Sequence, residues 1–193
     1  GVVKEDDLND FPGALADYSK AIELDPEYMD AYFNRGLLKQ NELGDMDGAL
    51  ADYNKAIELD PKYMDAYFNR GLLKYMQLDD MDGALADYNK AIELDPIDAI
   101  NYYFRGLLKH DELNDIHEAL NDYNKAIELN SSNADFYFKR GLLKHNKLNN
   151  IYGDLADYNR AIDINPDDAS NYYFRGSLKH KLNDIHGACA DYN

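Results

Sequence analysis

Glycine recurs at Gly36, Gly71, Gly106, Gly141 and Gly176, 35 residues apart at every step. A fixed period of this length constrains the fold more than any local signal, because each copy is one supersecondary unit that must bury its faces against neighbouring copies. Tyrosine follows the same beat at Tyr18, Tyr53, Tyr88, Tyr123 and Tyr158, with Tyr192 one residue early. Whole phrases repeat as well. The stretch YMDAYFNRGLLK stands at 28–39 and 63–74, and MDGALADYNKAIELDP at 46–61 and 81–96.

Inside a unit the apolar spacing is helical. Ala49, Tyr53, Ala56 and Ile57 fall at i, i+4, i+7 and i+8, one face of a helix. Pro61 closes that helix, with Pro26, Pro96 and Pro166 at the matching places. Asp45 or Asp47 supplies the N-cap or a first-turn acid. The preceding segment, AYFNRGLLK, reads as another helix whose small Ala31 and Gly36 admit a close neighbour. The unit is therefore helix–turn–helix, and the fold class is all-α, a solenoid of antiparallel helix pairs.

The aromatic pair before glycine (Tyr32, Phe33, then Gly36), the ladder of Ala49, Tyr53 and Ala56, and the closing Pro61 resemble the tetratricopeptide repeat (TPR) family. The likeness covers essentially the whole chain. It implies a single array: a partial repeat 1–26, repeats 27–61, 62–96, 97–131 and 132–166, and a partial repeat 167–193. It also implies a right-handed superhelix whose first helices line a concave side. Two features depart from the family. Most units have 35 residues instead of about 34, the extra one near the end of the first helix. The fourth unit has Ser131-Ser132 where others place proline. A 35-residue period also suits the RNA-reading pentatricopeptide family, but the alanine–tyrosine–alanine ladder and the acidity oppose it.

That acidity is pronounced, with 37 acidic and 20 basic residues and a net charge of −17. Such a chain repels phosphate backbones and anionic headgroups, so nucleic acid and membrane surfaces are excluded as expected partners. The acids concentrate in the N-terminal half, which favours a basic partner. No apolar stretch is long enough to span a bilayer. Cys189 is the one cysteine, so no internal disulfide or thiolate metal site is expected, and the setting expected is intracellular, in the cytoplasm. Gly1 in place of an initiator methionine suggests a segment of a longer chain.

Two sets of charges border the packing faces. Arg35, Arg70, Arg105, Arg140 and Arg175 precede each glycine. Asp17, Asp52, Asp87, Asp122, Asp157 and Asp191 precede each tyrosine. A charge on a packing face is costly unless paired, and guanidinium holds carboxylate with two bonds. The expectation is a structural ladder between units, Asp17 meeting Arg35 and Asp52 meeting Arg70. The rival reading is a row of anion receptors.

The partner-binding groove is expected on the first helices: Phe33, Leu37, Phe68, Leu72, Tyr75, Tyr103, Leu107, His110, Phe138, Leu142, His145 and Tyr173, with Asp30 and Asp65 forming an acidic rim. Such a groove suits a peptide or helix, basic or amphipathic. The plainer reading gives the aromatics to packing between units. Phe33 and Leu37 stand where chaperone-tail clamps of the family carry polar and basic residues, which counts against that activity. His110, His145 and His180 align once per unit without a zinc-spaced partner, and DMDG at 45–48 and 80–83 lacks the distal glutamate of a calcium loop. No metal, cofactor or catalytic group is expected. The function read from the sequence is a non-enzymatic interaction scaffold. The alternatives are a spacer or array that self-associates end to end, and an accessory domain of a larger enzyme or complex.

Overall fold

A computed structural model describes residues 10–148 and 151–192. The partial repeat expected at 1–26 therefore lies partly outside the described residues. The chain divides into two compact units, Gly1–Pro96 and Ile97–Asn193. In the first, α1 (Phe11–Leu24) is followed by α2 (Met29–Leu38), α3 (Met46–Leu59), α4 (Met64–Gln77) and α5 (Met81–Leu94). In the second come α6 (Ala99–Asp111), α7 (Ile116–Leu129), α8 (Ala134–Leu143), α9 (Ile151–Ile164), α10 (Ala169–Lys181) and α11 (Ile185–Tyr192). Among the described residues there is no strand.

Helices begin where the sequence supplies a cap. Asp10, Asp45, Asp80 and Asp184 each accept from the backbone N–H of a glycine three residues on. The glycine leaves room for this cap, since a Cβ on Gly48 would stand 2.1 Å from Asp45 Oδ2 and turn the carboxylate away. In the third repeat Glu118 replaces that glycine, and Asp115 makes no side-chain cap bond. At the other end, Asp60 Oδ1 accepts from Lys62 N–H at 2.9 Å, closing a turn. Asn130 does the same for Ser132 at 3.0 Å, so the fourth repeat keeps its turn without proline.

The extra residue of the 35-residue units is absorbed where the first helix ends. After α2 and α8 it widens the helix into π-turns, Lys39–Leu43 and Lys144–Leu148. The connection closes by an N–H to carbonyl bond six residues back, from Asp45 to Lys39, Asp80 to Lys74 and Asp115 to Lys109. In the last, shorter unit the equivalent bond from Asp184 to Lys179 spans five. The turn residue there is left-handed: Gly44, Asp79, Asn114 and Asn183 have φ of 67°, 56°, 51° and 63°.

The two helices of a repeat run antiparallel, since Lys39 reaches Gly48 while Arg35 reaches Asp52. Their seam is tight. A Cβ on Gly36 would lie 2.8 Å from the ring of Tyr53, so only glycine admits the tyrosine at this distance. Tyr53, Tyr88, Tyr123 and Tyr158, with Leu38, Leu73, Leu108, Leu143 and Leu178, form the fully buried centre of successive pairs.

Candidate functional site

Each repeat carries one buried charge network. Arg35 donates from Nε to Asp52 Oδ2 at 2.9 Å and from a terminal nitrogen to Asp52 Oδ1 at 2.6 Å. The same fork joins Arg70 to Asp87, Arg105 to Asp122, Arg140 to Asp157 and Arg175 to Asp191. The carboxylates are almost wholly enclosed, Asp52, Asp87, Asp122 and Asp157 each at 3% exposure. This corrects the register expected from the sequence. Asp17 does not meet Arg35, nor Asp52 Arg70; the pairing is within a repeat, because an antiparallel hairpin sets residues 17 apart, or 16 in the last, shorter pair, at the same height. Asp17 instead lines a depression of about 250 Å³ with Tyr18, Ala21 and Asn34. The link to the preceding helix is made by the arginine's remaining nitrogen, to Ser19, Asn54, Asn124 or Asn159.

Sequence reasoning missed a second cation on each carboxylate. Lys39, Lys74, Lys109, Lys144 and Lys179 approach the same aspartates at 2.7–2.9 Å. It also missed the tyrosine three residues before each arginine, whose ring lies 5.4–5.6 Å from the guanidinium carbon. Both sets repeat with the 35-residue period, which was the available signal. Arg35 and Arg175 are held further toward the charged form by their hydrogen-bonded aspartates, and Asp191 is held below the usual carboxylate range by Arg175 and Lys179 against the opposing effect of burial. With both guanidinium edges engaged, these arginines have little left for an external anion.

The expected groove residues fall into two groups. Phe33, Phe68, Tyr103, Phe138 and Tyr173 each lie 6.0–6.2 Å, centroid to centroid, from the second-helix tyrosine of their own pair. Phe33 also meets Tyr63 at 5.0 Å, Tyr103 meets Phe136 at 4.9 Å and Phe138 meets Phe174 at 5.5 Å, so each joins successive pairs. The first four remain half-buried, whereas Tyr173 is 61% exposed. Leu37 packs on Ala49, Tyr53 and Leu73, Leu72 and Leu142 are half-buried, and Leu107 is buried.

The far end of the expected stripe is occupied by tyrosine partners. Tyr53 donates to Gln40 Oε1 at 2.7 Å, and Tyr123 lies 3.4 Å from His110 Nδ1. His110 is buried, and desolvation lowers its pKa, ahead of the opposing effect of Asp111. Tyr75 is half-buried, and His145 turns to Asp154 at 3.2 Å. On the rim, Asp30 accepts from Tyr63 at 3.1 Å and Asp65 is exposed. Among the described residues no three histidine, cysteine, aspartate or glutamate side chains converge on a metal site. No described helix is long and apolar enough to cross a membrane.

Comparison with known proteins agrees with this geometry. The crystal structure of MamA is 25% identical, covering 81% of this chain and 90% of that one, with a TM-score of 0.73. PilF of Pseudomonas aeruginosa is 19% identical, covering 95% and 82%, with a TM-score of 0.83. YrrB, described as a TPR protein with an unusual peptide-binding site, is 24% identical, covering 90% and 88%, with a TM-score of 0.73. No curated protein matches the sequence. The pattern described as TPR repeat matches residues 7–41, 39–77 and 112–147, and that described as tetratricopeptide repeat matches residues 65–98. With its paired helices, glycine–tyrosine seams and matched repeats, the chain belongs to the tetratricopeptide repeat family, a fold of protein-interaction scaffolds.

Proposed function

We propose that the chain is a non-enzymatic scaffold whose first helices hold a basic or amphipathic peptide or helix of another protein. The observation that carries this reading is the half-buried aromatic at one place in every repeat, Phe33, Phe68, Tyr103 and Phe138, together with Asp30 and the exposed Asp65 in the first unit, in a chain of net charge −17. Rings anchored on the core tyrosines are rigid, so they offer apolar contact without ordering cost. The acids would steer a cationic partner. The repeat boundaries proposed with this reading are 27–61, 62–96, 97–131 and 132–166, flanked by partial repeats.

The test is binding of a fluorescent basic amphipathic helix, measured by anisotropy at two salt concentrations. Asp65→Lys and Tyr75→Ala are expected to weaken binding about tenfold each, roughly 1.4 kcal/mol, while helicity is retained. Equal binding by wild type and both variants refutes the groove. A second reading, self-association, is favoured by one observation. Tyr173 and Tyr192 are 61% and 51% exposed beside a depression of about 640 Å³. Sedimentation over a concentration series, with Tyr173→Lys as control, separates it from the first.

A further inference from the structure

At the buried start of the second helix, three repeats place alanine: Ala49, Ala84 and Ala119, all with no exposure. The fourth places Asp154 there, also with no exposure. A carboxylate has replaced a methyl group in a fully enclosed position of the pair. His145, on the π-turn after α8, meets it, with Nδ1 3.2 Å from Asp154 Oδ2. On the far side of the ring, Lys181 Nζ of α10 lies 2.7 Å from His145 Nε2. The ammonium can only donate, so Nε2 accepts, and the imidazole is neutral with its proton on Nδ1, donated to Asp154. The three groups together carry no net charge. They also cross a seam, because α10 belongs to the repeat that follows.

The hydrogen bonding beneath it differs from that in two of the sister repeats. In two sister repeats the residue at this place serves the core tyrosine, as Gln40 does for Tyr53 and His110 for Tyr123. Here His145 is turned to Asp154, and the buried hydroxyl of Tyr158 is left without a hydrogen bond, as is Asp154 Oδ1. Tyr158 sits one helical turn after Asp154, on the same face. Burial raises the Asp154 carboxyl, opposed by His145, by its own backbone N–H and by Lys144. Two nearby lysines are engaged elsewhere. Lys144 pairs with Asp157 at 2.7 Å, and Lys147 donates to Asn114 at 3.0 Å.

We propose that Lys181, His145 and Asp154 form a proton-operated latch between the fourth repeat and the α10–α11 hairpin. With Nε2 unprotonated, the latch is closed. When a solvent proton adds to the Nε2 lone pair, the ring becomes an imidazolium, the acceptor disappears, and two cations face each other. Lys181 leaves, while the imidazolium stays on Asp154 as an ion pair. The cluster passes from neutral to one positive charge, and the hairpin loses its tie at this corner. An alanine at 154, as in the sister repeats, would leave nothing to hold the ring in this position.

The test uses the full chain. Ring nitrogen shifts of His145 are followed by NMR between about pH 8 and about pH 5, the span over which imidazoles titrate, together with amide exchange of residues 169–192 corrected for intrinsic rates. The Nδ1–H tautomer is expected at the high end. Protection of α10–α11 is expected to fall with acid, by at most about tenfold per pH unit, the slope set by uptake of a single proton on opening. His145→Gln, which places in this repeat the residue found at 40, and Lys181→Met should both remove that step while the helices remain. An Nε2–H tautomer at high pH, or the same pH-dependent step in either variant, overturns the latch.

Discussion

Replacing Arg70 by alanine tests what holds a repeat together. Asp87 is 3% exposed and is gripped by Arg70 at 2.9 and 2.5 Å and by Lys74 at 2.9 Å. Breaking a buried ion pair by removing one partner costs about 3–5 kcal/mol, because the remaining charge stays out of water. Lys74 remains in place and partly compensates, which brings the loss to the low end. The stacking of Arg70 on Tyr67, 5.4 Å away, adds about 0.5–1 kcal/mol. The expected cost is therefore about 3.5–4 kcal/mol. Arg70→Lys should cost less, about 1–2 kcal/mol, since an ammonium keeps the charge but loses the two-pronged grip. Urea unfolding followed by circular dichroism would show the alanine variant's midpoint lowered by about 1–2 M, with amide exchange confirming that α4 and α5 loosen first. The control is Lys90→Ala, which removes only the exposed pair with Glu93 at 2.8 Å. If Arg70→Ala falls within about 0.5 kcal/mol of that control, the network is not what secures the hairpin.

Two further outcomes follow from the same packing. Gly106→Ala places a Cβ 2.9 Å from the ring of Tyr123 and 3.3 Å from Asp122 Cβ. Overpacking of about 1–3 kcal/mol should outweigh a helix-propensity gain of about 1 kcal/mol, and a thermal midpoint that rises would contradict the tight seam. Burial pushes the hydroxyls of Tyr53, Tyr88 and Tyr158 far above the ordinary tyrosine range. A pKa raised in the folded state contributes stability that is complete below about pH 10, where free tyrosine ionises, and is lost as pH rises further. In an alkaline titration these phenolates should form only as the helical signal collapses. Their appearance in a still-helical chain would refute the burial argument.

Much of this protein was legible in its sequence for a specific reason. Repetition supplies the comparison that a lone domain lacks. The period gave the helix pairs, Asp45 and its counterparts gave the starts, and Pro61 and its counterparts gave the ends. The extra residue was visible as a length difference, although its shape as a π-turn was not. The arginines and aspartates were recognisable as a set, but their partners were misassigned by one repeat, because linear spacing does not say which carboxylate lies level with which guanidinium. The residues expected to line a groove were chosen as a stripe along one helix face. That Phe33 leans on Tyr53 and Tyr63, and that His110 turns inward to Tyr123, depends on side-chain direction across a seam between helices.

The sequence by itself determined the architecture, because periodic apolar faces, caps and glycines act within a repeat and recur in every copy. Tertiary structure alone decided the partnerships: Arg35 with Asp52, Lys39 on the same carboxylate, and His145 between Asp154 and Lys181. Those contacts join residues 9 to 36 apart, and their energies arise only once packing has removed water from between the helices. Asp154 shows the difference most plainly. In the sequence it is one acid among 37, and in the fold it occupies the place of a buried alanine.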